Sequence, residues 1–328
     1  MLAALAAAPQ VMDAQQGRVR RGVMRTDTFW SQALGITKRL VVYLPPSYAE
    51  SGARARRYPL AVYLHGGYGN ETDWTVNGHL ATTMDSLVAN GMREMIVVMP
   101  DGDDGWWTTW HALNDVAACR RVRREENADS YCVPWPKYDD YVARDVIAHA
   151  DSLYRTQRRR ASRGIAGLSM GGYGAISIAA RYPGTFAAAA SHSGVLRPAM
   201  KVDSSTVTTT GAPTVRDART RDELRAVSGA RRWVIIEPAF GSDSVSWTSR
   251  DPSNLIQQAL RRGDVLPSLF VDVGTEDHVL PMNRSFRDRM AQLKVPLVYA
   301  EWPGRHDWAY WHAHLPESLR FLAGRLAP

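Results

Sequence analysis

The chain has 328 residues, 45% hydrophobic and 22% charged, with 40 basic against 33 acidic side chains for a formal charge of +7. That is apolar material for one full-sized core, with no internal repeat and no apolar run long enough to span a membrane. The excess charge is mostly scattered arginine, with local runs at Arg120-Arg121-Val122-Arg123-Arg124 and Arg158-Arg159-Arg160. No helix-turn-helix, zinc-finger or RNP pattern accompanies it, so it reads as a solvated face, or as attraction for an anionic substrate, and not as a nucleic-acid surface.

Residues 1–14 are apolar and Ala-rich but lack a basic start. They read as the tail of a signal peptide cleaved near Ala14 or as a frayed terminus. Residues 1–22 are therefore set apart, and 23–328 are expected to form one domain. Leu60-Ala61-Val62-Tyr63-Leu64 reads as a strand running into His65-Gly66-Gly67-Tyr68-Gly69, where glycines let the backbone approach a bound molecule closely. A second apolar segment covers 95–99, and Trp106, Trp107 and Trp110 follow it. The stretch 111–137 reads as an insertion holding both cysteines, Cys119 and Cys132. Oxidised, they would close a small ring worth about 3 kcal/mol, stable only in an oxidising compartment. Neither sits in a nucleophile's setting. The cysteines and the N-terminal segment together favour a secreted or periplasmic protein over a cytoplasmic one. Residues 141–154 carry apolar side chains at helical spacing.

The most informative stretch is Gly167-Leu168-Ser169-Met170-Gly171. A short apolar segment, Gly164-Ile165-Ala166, precedes it; Gly172-Tyr173-Gly174 and an Ala-rich run to Arg181 follow. A Gly-x-Ser-x-Gly between strand and helix is the nucleophile elbow, in which a sharp, strained turn exposes the serine at the helix N-terminus. Serine needs a base, and the base needs a carboxylate to fix its tautomer. On this kind of scaffold the chain order is Ser, acid, His.

Leu269-Phe270-Val271-Asp272-Val273-Gly274 reads as a strand exiting into Thr275-Glu276-Asp277-His278. Asp272 lies within the strand, so Asp277 on the loop is the expected acid, with Glu276 in reserve. A further strand at 296–300 leads into Pro303-Gly304-Arg305-His306 and a terminal helix, which makes His306 the expected base. His278 adjoins the acid on the wrong element, His192 has a structural reading, and one of His312 and His314 is expected near the rim. No His-x-x-x-His with a glutamate base and no Cys-x-x-Cys pair is present, so neither a metal nor any other cofactor is expected. The oxyanion donors should be the amide of Met170 and one from the glycine loop, Gly67 first and Tyr68 next.

These segments, with Val41-Val42-Tyr43-Leu44-Pro45-Pro46-Ser47-Tyr48 and His306-Asp307-Trp308-Ala309-Tyr310-Trp311, resemble the esterase D/feruloyl esterase-like branch of the α/β-hydrolases. That branch includes tributyrin-type esterases, S-formylglutathione hydrolases, enterochelin esterases and mycolyltransferases. The resemblance spans residues 38–326 and implies an α/β fold: a mostly parallel sheet covered on both faces. It also implies Ser169, Asp277 and His306 as a triad, with Gly67 and Met170 as oxyanion donors. The insertion at 111–137 and the segment 201–246 follow no pattern of that branch, and both are expected to overlie the site.

Tyr68, Trp74, Trp106, Trp107, Trp110, Trp308 and Trp311 are expected to line the substrate pocket. Flat aromatic faces suit feruloyl or acetyl esters of plant polysaccharide, and generic short acyl esters fit equally. The expected activity is a serine carboxylesterase on a small-molecule or polysaccharide-linked ester. Acyl transfer to a sugar or glycerol hydroxyl, S-formylglutathione hydrolysis and a non-catalytic binding module are the alternatives. The oligomeric state is left open.

Overall fold

The apolar runs pair into one eight-stranded sheet in the order β1-β2-β4-β3-β5-β6-β9-β10. The computed structural model describes residues 20–112, 115–122, 132–207 and 213–328; the expected signal-peptide remnant at 1–14 and part of the 111–137 insertion lie outside these. Strands β1 (Val23–Ser31) and β2 (Ile36–Leu44) form an antiparallel hairpin, and β2 also pairs antiparallel with β4 (Ile96–Pro100). From there β3 (Leu60–Leu64), β5 (Arg163–Leu168), β6 (Ala188–His192), β9 (Ser268–Gly274) and β10 (Leu297–Trp302) run parallel to β4 and to one another. The mostly parallel, doubly covered α/β sheet expected from the sequence is the architecture observed.

The central strands are apolar throughout because both of their faces are covered. Successive side chains alternate between the faces. Val42, Val62, Val98, Ile165, Ala189 and Val271 join one core with Tyr141, Val146 and Ile176. Tyr43, Tyr63, Val97, Ala166, Ala190 and Phe270 join the other with Leu80, Met84, Leu315 and Leu319. Helix Leu80–Ala89 and the terminal helix Trp308–Arg325 cover that second face. The first is covered by Met170–Arg181 and by the run from 138 to 153, which holds a π-type stretch at Tyr141–Val146.

The segment 201–246, unplaced from sequence, forms a cap. It opens with the hairpin of β7 (Met200–Val207) and β8 (Pro213–Asp217). Helices Arg221–Ser228, Ala230–Phe240 and Ser244–Thr248 follow. Thr220 and Asp243 cap the first and third by accepting the amides of Glu223 and Ser246. A small core of Leu224, Trp233, Ile236, Phe240 and Trp247 packs this cap onto Tyr173 of helix Met170–Arg181.

The described parts of the stretch from Trp110 to Tyr138, here called the strap, hold Cys119 and Cys132 joined in a disulfide. Its start hydrogen-bonds the cap, from His111 N–H to the Ala239 carbonyl and from Ala112 N–H to that of Pro238, both at 3.1 Å. Its end reaches the β1–β2 turn, where the Trp135 amide donates to Leu34. Among the described residues no helix is long and apolar enough to cross a membrane.

Candidate active site

Three strand-end loops deliver Ser169, Asp277 and His306 to one point at the carboxyl edge of the sheet. Ser169 sits between β5 and its helix at φ 53° and ψ −115°, a strained conformation for a residue with a Cβ. The turn closes only because its neighbours lack side chains. A Cβ on Gly171 would stand 2.3 Å from the Leu64 carbonyl oxygen and 2.5 Å from that of His65. The strained residue is held by backbone bonds: its N–H donates to His192 at 2.9 Å, and its carbonyl accepts from Tyr173 and Val195.

The acid and base loops approach each other just as closely. A Cβ on Gly274 would lie 2.3 Å from the Gly304 carbonyl oxygen. Amides of Thr275 and Glu276 donate across this gap to Trp302 and Gly304. His306 Nε2 lies 2.9 Å from Ser169 Oγ, and its Nδ1 lies 3.0 Å from both carboxylate oxygens of Asp277. The Trp311 ring stands edge-on to the imidazole at 5.0 Å. Burial pushes the Asp277 carboxyl up, but the hydrogen bond and charge of His306 and the Val279 amide outweigh it, so it lies below the usual carboxylate range. The other acids are occupied elsewhere. Glu276 is exposed and pairs with Arg305, while Asp272 is buried against His192 and Tyr310.

The glycine loop faces the serine from β3. His65 fixes its shape: Nδ1 donates to the Gly66 carbonyl at 2.7 Å, and Nε2 accepts the Gly102 amide at 2.9 Å. Tyr68 lies at φ 63° with its amide committed to Asp104 at 2.6 Å, which removes it as an oxyanion donor. The amides of Gly67 and Met170 have no protein acceptor among the described residues. Beneath this loop Lys38 bridges Asp101 and Asp103 at 2.7 and 2.8 Å. Burial alone would lower the Lys38 pKa, but the two carboxylates raise it overall.

A cavity of about 240 Å³ opens over Ser169, and it sorts the expected aromatic residues. Tyr68, Trp106, Trp308 and Trp311 line it; Trp74, Trp107 and Trp110 do not. Trp74 and Trp107 are buried, with their indole N–H groups on the carbonyls of Leu64 and His65. Trp110 donates to Gly105 and lies near Tyr138. Residues the sequence reading missed complete the wall: Asp73 and Asp104 on the glycine-loop side, and Arg232, Ile235 and Ile236 from the cap.

Of the two segments expected to overlie the site, the cap reaches the cavity, and no described residue of 111–137 does. His278 lines the wall, and burial, then the charges of His306 and Arg232, lower its pKa. His312 and His314 do not line it; His312 stands edge-on to His79, and His314 stacks on Trp302. Ligand atoms of Asp277, His278 and His306 lie within 4.8 Å of one another, but a cation there would take the carboxylate away from His306.

An esterase of Mycobacterium tuberculosis is 30% identical over 298 residues, covering 85% of this chain; the chain spans 54% of that protein's length. An acetyl esterase of Caldicellulosiruptor saccharolyticus is 22% identical over 262 residues, covering 79% of this chain and 81% of its own. Among solved structures, a ferulic acid esterase superposes with a TM-score of 0.67 at 24% identity, covering 94% of this chain and 99% of its own, which shows the shared fold. Residues 31–322 match the Esterase family, and the chain belongs to it.

Proposed function

We propose that the chain is a serine carboxylesterase working through an acyl-enzyme. The observation that carries this reading is the unbroken line of hydrogen-bond distances from Ser169 Oγ through His306 to Asp277, at 2.9 and 3.0 Å. In this mechanism His306 Nε2 takes the Ser169 proton as Oγ attacks the ester carbonyl, and Asp277 stabilises the imidazolium. The Gly67 and Met170 amides receive the oxyanion, and the alcohol leaves with the proton from His306. Water activated by the same imidazole releases the acid. No step calls for a cofactor.

The relatives' names, acetyl esterase and ferulic acid esterase, support short or aromatic acyl esters, including those attached to polysaccharide. Trp106, Trp308 and Trp311 supply flat apolar walls for such groups. The Cys119–Cys132 bond supports export and weighs against a cytosolic thioesterase such as an S-formylglutathione hydrolase.

The test is hydrolysis of p-nitrophenyl esters from acetate to dodecanoate beside methyl ferulate, with and without an added sugar or glycerol acceptor. Turnover in water that Ser169→Ala lowers by up to roughly a millionfold is the expected result. Product only with the acceptor would make the chain a transferase. Turnover within about tenfold of wild type in Ser169→Ala would remove the serine from the mechanism.

A further inference from the structure

A second chamber of about 110 Å³ adjoins the cavity, and Trp106, Val195, Arg232, Ile236 and His278 line both. Beyond this junction its walls are mostly apolar, from Val227, Phe240, Trp247, Val279 and Met282. Arg232 is the charged residue of the junction. Two other arginines of the cap are paired, Arg216 with Glu223 and Arg221 with Glu237. Among the described residues the Arg232 guanidinium has no carboxylate, carbonyl or aromatic partner. On the glycine-loop side stand the carboxyl groups of Asp73 and Asp104, Asp104 accepting the Tyr68 amide, so Arg232 is the basic side chain facing an acidic wall.

We propose that this site takes esters bearing a carboxylate, seated at the chamber junction against the Arg232 guanidinium. The inference rests on the reading of Ser169 as nucleophile. A guanidinium presents paired N–H donors that match a carboxylate's two oxygens. Asp73 and Asp104 repel that anion from the glycine-loop wall, which leaves the ester carbonyl as the group turned toward Gly67 and Met170. The apolar lining beyond the junction suits the uncharged part of such an ester. Arg232 is itself solvent-exposed, which holds the gain to about tenfold.

The test measures binding separately from turnover, using two rigid pairs that differ in charge and hardly in shape. Monomethyl terephthalate against methyl para-carbamoylbenzoate places the charge on the acyl side; para-acetoxybenzoate against para-acetoxybenzamide places it on the alcohol side. Calorimetry on the Ser169→Ala protein should show the carboxylate member of at least one pair binding about tenfold tighter. That advantage should shrink to about twofold or less when Arg232→Gln is added, and should weaken as salt is raised.

Equal affinity within both pairs, no measurable binding of the charged members, or an advantage that survives Arg232→Gln would each overturn the proposal. Tight binding of a charged ester that the wild-type protein never hydrolyses would keep the anion site and remove the esterase reading. Hydrolysis without charge preference would do the reverse.

Discussion

The amide of Ser169 donates to the carbonyl of His192, so the nucleophile hangs from the end of β6. The His192 side chain continues downward, with Nδ1 2.6 Å from Asp272 and Nε2 2.7 Å from Ser318. Tyr310, on the helix that follows His306, donates to the same Asp272. The His192 and Asp272 side chains are both fully buried. His192→Ala should therefore leave a buried carboxylate short of its partner, costing about 3–5 kcal/mol. Urea unfolding beside ester turnover would check it; a loss under about 1 kcal/mol would mean the pair carries little weight.

Backbone strain at Ser169 predicts a split between two inactive variants. Ser169→Ala keeps a Cβ at φ 53°, whereas Ser169→Gly removes it. The glycine variant should be more stable than the alanine variant by about 1 kcal/mol, the strain relief exceeding the entropy a glycine loses on folding. Comparing their thermal midpoints reads this directly, and an alanine variant of equal or greater stability would show the turn to be unstrained.

Removing the disulfide should affect stability more than chemistry. Cys119 and Cys132 are separated by 13 positions, and opening so small a ring costs about 3 kcal/mol in the chain-entropy description. The Cys119→Ser/Cys132→Ser protein should unfold at lower urea yet retain kcat within about twofold at a temperature where it is folded. A large fall in kcat of the folded variant would show that the strap reaches the site.

Asp251 gives a pH signature. It caps helix Pro252–Arg262 through the amides of Ser253 and Asn254. Burial pushes its carboxyl from 3.8 up to about 6, with Arg197 opposing the rise. The folded state then binds the proton more tightly than the unfolded one, so this group's contribution to stability falls as pH rises through that window and levels off above it. Asp251→Asn keeps a cap acceptor and cannot ionise. Between pH 4 and pH 7 its stability relative to wild type should improve by about 2–3 kcal/mol. A difference that does not vary with pH would contradict this.

The parts of the site readable in the sequence are those whose chemistry forces local spelling. The elbow needs glycines where Gly171 meets the Leu64 and His65 carbonyls, and the acid and base loops need them where Gly274 meets Gly304. The pocket wall has no such spelling. Trp106 and Trp107 are adjacent tryptophans, both at positive φ, yet one lines the cavity and the other is buried. Residue type does not distinguish them; the loop's conformation does. Arg232 is equally hidden, because its helix carries an internal Pro238 and sets a basic pair beside the unbroken apolar run Trp233-Val234-Ile235-Ile236, without a clear stripe. Its role depends on where the cap docks, which no local pattern encodes.

The described ends of the strap hydrogen-bond the cap at Pro238 and Ala239 and the β1–β2 turn at Leu34, and the cap residues of the cavity wall share no position with Ser169, Asp277 or His306. The cavity wall draws on several stretches of chain: Tyr68 and Trp106 come from sheet-end loops, Trp308 and Trp311 from the terminal helix, and Arg232, Ile235 and Ile236 from one inserted block. Exchanges at Arg232, Ile235 and Ile236 would therefore reshape one side of the cavity without replacing Ser169, Asp277 or His306.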